Sequence, residues 1–255
     1  MRQIGLALLF LLLGGCNQGM VQGENDSSTG NLGNSNPGND TSDVYVQLAY
    51  EYLRQGDYTT ALKKAKKAVA KGPRNGNAHL VLALIYETLG ENDAASAAYR
   101  RSLDVDPKNP YALNAYGSYL CKLQEYEPSL PYFDKALDNP LYQTPWVAMS
   151  NAGTCARKAG LNEKAEDYLL RALERNPSYA PALYQMAQLR FDQGKYLSTR
   201  AYLQRYREVA KPTAELLYLS ILTERKLGNA HQERSDTMLL KSSFPDSRQA
   251  RSLDN

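Results

Sequence analysis

The sequence is poor in the residues that usually do chemistry. Its 255 residues hold two histidines, three cysteines and one tryptophan. His79 and His231 stand far apart in the chain, so neither is placed to assist the other. From Ser42 onward glycines occur singly, without the clustering of a phosphate-cradling loop. The carboxylates are scattered, with no paired acid/base motif and no metal-ligand spacing. These shortages point away from an enzyme and away from a cofactor or metal site. Long apolar runs are missing too: the longest, Ile4 to Leu13, is ten residues, against the ~20 that a membrane-spanning helix needs. Nor is there a strong charge of one sign. Thirty basic residues face 27 acidic ones, for a net +3. That balance is too mild for a nucleic-acid binder, which concentrates its basic residues on one face. A hydrophobic share of 43% is enough to build a core.

What is present begins at the N-terminus. Arg2 precedes the apolar run, and the run closes on Leu13-Gly14-Gly15-Cys16. A charged start, a short apolar stretch and small residues before a cysteine match a secretory signal peptide over residues 1–15. The last four residues resemble the lipobox of bacterial lipoproteins. The resemblance implies that Cys16 becomes the first mature residue and carries acyl chains, which together anchor a protein stably to a bilayer. Asn17 is not the aspartate that commonly retains such proteins at the inner membrane. The expected address is the outer membrane, lipid-anchored and facing the periplasm. Residues 16–41 are then almost wholly Gly, Asn, Ser, Asp and Thr. They bury too little to offset their ordering entropy, and read as a disordered tether.

From Ser42 the chain repeats. Gly56 and Gly90 lie 34 residues apart, as do Gly160, Gly194 and Gly228; Gln124 fills the gap, and two extra residues follow it. Six units begin near Ser42, Gly76, Pro110, Trp146, Ala180 and Ala214, ending at residue 247. Their first helices carry a small-residue series, Ala49, Ala83, Gly117, Gly153 and Ala187, broken only by Ile221. Their second helices carry Ala61, Ala95, Ser129, Ala165 and Thr199. Small side chains recur where two helices cross closely. Prolines close each unit at Pro73, Pro107, Pro140, Pro177, Pro212 and Pro245, where a helix cannot continue. This register resembles the tetratricopeptide repeat, which implies an all-α superhelical solenoid of six helix-turn-helix units whose neighbours share a core. In the first unit, Leu48, Tyr52, Leu62, Ala65 and Val69 are expected to face inward. Residues 248–255 read as a polar, frayed tail.

The inner groove of such an array is lined by the first helices. In units one and two this gives an apolar strip facing solvent: Val46, Tyr50, Leu53, Leu80 and Leu84. An exposed apolar patch of this kind marks a partner site. Further along, Asn114, Ser118, Lys122, Ser150, Thr154, Arg157 and Lys158 make the groove polar. The asparagine position of a carboxylate-clamping groove reads Gln47, Val81 and Ala115 in the first three units, so that clamp is not expected. Cys121 and Cys155 fall late in the first helices of adjacent units. An oxidising periplasm would join them across the one irregular junction, Leu141 to Pro145; the alternative is two buried free thiols. Lys63, Lys64, Lys66 and Lys67 face outward from the first unit, as a solvated face or as a contact for anionic lipid or lipopolysaccharide.

The layout resembles the PilF/PilW lipoproteins of type IV pilus biogenesis. The resemblance rests on the lipobox, the tether, the six units, and four segments. These are Asp43 to Leu48, Asn114 to Leu120, Asn139 through Gly153 at the irregular junction, and Phe244-Pro-Asp-Ser247. It implies a pilotin, a non-enzymatic protein that binds subunits of the pilus secretin and promotes their outer-membrane localisation and multimerisation. A periplasmic adaptor for cell-wall hydrolases or synthases is the rival reading.

Overall fold

The computed structural model describes residues 41–253. The expected signal peptide, Cys16 and the expected tether through residue 40 lie outside the described residues, as do the last two. Twelve helices of twelve to fourteen residues form six antiparallel pairs. These are α1 (Thr41–Arg54) with α2 (Tyr58–Lys71), α3 (Gly76–Leu89) with α4 (Asn92–Val105), and α5 (Pro110–Lys122) with α6 (Tyr126–Leu137). Next come α7 (Pro145–Lys158) with α8 (Asn162–Arg175), α9 (Ala180–Asp192) with α10 (Tyr196–Val209), and α11 (Ala214–Lys226) with α12 (Ala230–Ser243). A short α13 (Arg248–Arg251) follows. Each first helix also packs on the first helix of the next pair, and each second helix on that same next first helix. The result is the all-α tetratricopeptide solenoid.

Close crossing inside each pair explains the small residues. Ala49, Ala61, Ala83, Ala95, Ser129, Ala165, Ala187 and Thr199 are fully buried. Gly117 and Gly153 are tighter still. A Cβ on Gly117 would sit 3.0 Å from the Phe133 ring, and one on Gly153 would sit 2.6 Å from Leu169 Cγ. The turns between paired helices need a left-handed residue. Gly56, Gly90, Gly160, Gly194 and Gly228 have φ of +71° to +78°, and Gln124 takes the same conformation at +67°. A side chain there costs roughly 1–2 kcal/mol relative to an ordinary helix residue.

Polar groups stitch one pair to the next. The Asn75 side chain caps α3 by accepting from the amides of Asn77 and Ala78. Its Nδ2 donates back to Asp43 Oδ1 at 2.7 Å. Asn109 repeats the arrangement, capping α5 and donating to Asn77 Oδ1 at 2.9 Å. Between units three and four, a disulfide joins Cys121 to Cys155, with Cα atoms 5.8 Å apart. It spans the irregular junction, where Tyr142 is buried edge-on against Tyr111 and Leu141 stands out in solvent.

Two expectations about the ends need correction. Leu48 does not face inward but is exposed; no preceding unit covers that side of α1 among the described residues. The tail is not frayed through its length. Ser247 caps α13 by accepting from the Ala250 amide, and Ala250 is buried with Ala214, Leu217, Ile221 and Leu240. Ala250 follows the register of Ala78, Ala112, Ala148 and Ala182, all buried. α13 therefore takes the place of the first turn of a seventh unit, and it covers the apolar end of the sixth. The sixth unit also replaces apolar packing with charge. Arg200 donates two hydrogen bonds to Glu224, and Arg207 donates one to Asp236. Both carboxylates are buried, and Asn229 and Gln232 supply further donors.

Opposite signs are expected for two substitutions. Gly153→Ala gains about 1 kcal/mol of helix propensity but overpacks a site where added volume costs roughly 1–3 kcal/mol. Thermal denaturation should show a net loss of about 1 kcal/mol or more. Gln124→Gly should gain up to about 1 kcal/mol by relieving the left-handed conformation. A third expectation concerns the disulfide: a 34-residue separation implies a loss of roughly 3–4 kcal/mol when it is removed. Urea unfolding of the Cys121→Ala/Cys155→Ala chain measures it, and an unchanged midpoint would refute the estimate.

Candidate functional site: the concave groove of repeats two to five

The first helices α3, α5, α7 and α9 lie side by side and form the inner wall of the superhelix. Between them is a cavity of about 460 Å³, with Tyr99 of α4 at its margin. Leu84, Ala115 and Cys121 contribute its apolar floor. Glu87, Ser118, Lys122, Asn151, Thr154, Lys158 and Gln185 supply its polar groups.

Some of these groups are committed to the fold. Glu87 accepts from the Tyr99 hydroxyl at 2.6 Å and from Lys122 at 3.2 Å. Burial, reinforced by the Glu87 charge, pushes the Tyr99 phenol well above its usual pKa, so it is a fixed donor. Asn151 Nδ2 donates to Asn114 Oδ1 at 3.1 Å, and Thr154 donates to its own helix at Ser150 O. Arg157 spans the next junction, donating to Asp192 at 2.8 Å and to Gln188 at 3.0 Å.

Other groups are not committed. Ser118 Oγ and Gln185 Oε1 are shielded from water yet have no hydrogen-bond partner among the described residues. Lys158 is exposed, with no ion pair among them. Buried polar atoms are ordinarily paired, so these two orphans on the lining of one cavity stand out as its unsatisfied groups. Hydroxyls and amides suit the N–H and C=O groups of an extended peptide. Lys158 suits an acidic side chain. A larger depression, about 770 Å³, lies along the inter-unit turns around Asn75 and Asn109. Both of those amides are already used as helix caps, so it offers less.

The apolar strip expected in units one and two does not face solvent. Val46 is buried with Ala49, Ala61 and Val81. Leu80 and Leu84 are buried with Tyr99, Ala115 and Tyr116. Only Tyr50 and Leu53 remain half-exposed at the core's margin. Adjacent first helices pack through these positions, which makes them core, although Leu84 also reaches the cavity floor. Of the polar residues expected further along, Asn114 and Ser150 lie beneath the surface, while Ser118, Lys122, Thr154 and Lys158 line the cavity. Asn151 and Gln185 were missed. The signal was available: the position that reads Val81 and Ala115 in the second and third units is an amide in the fourth and fifth, as it is at Gln47 in the first. Lys63, Lys64, Lys66 and Lys67 sit on α2, on the opposite, convex side. Among the described residues no three His, Cys, Asp or Glu side chains converge as a metal site requires.

Comparison with known proteins agrees with this architecture. Profiles of the tetratricopeptide repeat match residues 46–110, 86–143 and 148–179. The type IV pilus assembly protein PilF of Pseudomonas aeruginosa is 26% identical over 241 residues, 94% of each chain. The crystal structure of PilW, described as a widely conserved type IV pilus biogenesis factor, superposes with a TM-score of 0.79. It is 34% identical, over 84% of this chain and 98% of that one. A structure of Pseudomonas aeruginosa PilF superposes with a TM-score of 0.74 at 25% identity, over 84% of this chain and 96% of that one. The chain belongs to the PilF/PilW family of tetratricopeptide-repeat proteins.

Proposed function

We propose that the protein acts in type IV pilus biogenesis as a pilotin. In this reading it binds secretin subunits through the concave groove and promotes their assembly at the outer membrane. The pilus role is supported by what the relatives PilF and PilW are named for. The grip is supported by one observation above the others, the unpartnered Ser118 and Gln185 on the lining of one cavity. An extended segment of the partner hydrogen-bonds these groups through its backbone, and an acidic side chain meets Lys158. A non-enzymatic scaffold needs nothing more than this differential affinity. Acyl chains on Cys16 supply the address, holding the groove at the periplasmic side of the outer membrane.

Gln185→Ala with Lys158→Glu tests the grip without disturbing the fold, because neither altered group pairs among the described residues. Capture of secretin from detergent-solubilised envelopes should fall about tenfold or more, equivalent to roughly 1.4 kcal/mol. The melting curve should not move. Cys16→Ser should lose outer-membrane placement and keep capture. Normal secretin multimers with the groove variant would refute the assignment. Recovery of cell-wall hydrolases or synthases, without secretin, would transfer the function to that class of partner.

A further inference from the structure

Among the six second helices, α2 alone contains no acidic residue. It carries five lysines, Lys63, Lys64, Lys66, Lys67 and Lys71. At about 100° per residue these fall within an arc of roughly 160°. The arc lies opposite Ala61, Ala65 and Ala68, which are fully buried in the core. The lysines therefore form one outward face. Several are spaced three or four residues apart, where like charges repel and weaken a helix. None makes an ion pair among the described residues. Lys67 instead lies 4.5 Å from the Tyr45 ring. Its hydrogen bond, with the fields of Lys64 and Lys71, holds the Tyr45 phenol below its usual pKa. Over residues 42–75, seven basic side chains stand against three acidic ones, a net +4 that exceeds the +3 of the whole chain. The fold keeps a self-repelling face that no carboxylate among the described residues pairs with.

We propose that this convex face of the first unit docks on a phospholipid bilayer through the phosphates of anionic headgroups. Three features favour a bilayer over a protein or a nucleic acid. The charge is all lysine on this face, compact ammonium groups on long stems, without the planar arginine forks that suit specific bidentate partners. It is spread over the outside of a helix instead of a cleft. It also lies one helix from the start of the solenoid, and 24 residues separate Cys16 from Thr41, a contour of at most ~90 Å. Any membrane holding Cys16 is within reach of α2, although the docking itself does not require acylation. Because the first helices line the groove and the second helices form the outside, a docked α2 turns the groove away from the lipid. The inference stands apart from the groove reading, and either can fail alone.

The test uses the full chain carrying Cys16→Ser, sedimented with vesicles of phosphatidylcholine alone or with phosphatidylglycerol added. A second chain also carries Lys63→Gln, Lys64→Gln, Lys66→Gln and Lys67→Gln. Both retain the Ile4–Leu13 segment, so any binding by that segment cancels in the comparison. Each lysine near an anionic surface contributes severalfold to affinity, so the first chain should bind the anionic vesicles at least about tenfold more tightly than neutral ones. High salt should remove the preference, as should the four substitutions, with thermal melting unchanged. Equal binding to neutral and anionic vesicles, or an undiminished preference after the substitutions, would overturn the proposal. So would a quadruple variant that binds vesicles normally but loses an acidic protein from envelope extracts, which would give the face to that protein.

Discussion

The close crossing of two helices within each pair is the constraint from which the rest of the molecule follows. Backbones can approach this near only where side chains are absent or end at Cβ. Ala49 against Ala61 and Ala83 against Ala95 satisfy that by size alone. Gly117 and Gly153 go further, because Phe133 and Leu169 occupy the space a Cβ would need. Close pairing makes each unit thin, and thin units stack. Stacking brings the first helices side by side, and their exposed flanks become the groove. A pair alone could not bury its apolar stripes, so its stability is shared with its neighbours.

The groove is best defined where the stack is most constrained. Cys121 and Cys155 join α5 to α7 beneath it, and Asn151 bonds Asn114 across the same seam. Arg157 carries the connection on to α9. These ties fix the spacing of the walls on which Ser118 and Gln185 sit, so a ligand meets preorganised groups and spends little on ordering them. At the far end the device changes. Glu224 and Asp236 are buried ion pairs, a costly way to fill a core unless every lone pair is met. Here Arg200, Arg207, Asn229 and Gln232 meet them, and α13 then closes the stack.

Most of the fold was legible in the sequence because its period and its small residues are direct consequences of helix crossing. Even the exception was legible, since Gln124 occupies a glycine's place and adopts a glycine's conformation. The site was less so. Val46, Leu80 and Leu84 satisfy the pattern of a groove-facing position, but neighbouring first helices meet through them and bury them. Periodicity reports which side of a helix a residue occupies, not how far the next helix reaches around it. Asn151 and Gln185 were visible only by reading one position through all six units. The carboxylates of the sixth unit look like a solvated face, because their arginine partners lie 24 and 29 residues away. Ala250 was hidden by the polar residues around it, though it keeps the register of the units before it.

The most direct test of the central claim, that the concave groove holds the secretin, is site-specific photo-crosslinking in intact cells. A photoreactive residue at Ser118 or Gln185 should give a covalent adduct with the secretin, while the same residue at Lys66 on the convex side should not. Adducts from Lys66 and none from the groove would contradict the account, leaving the solenoid in place and moving its partner to the other face.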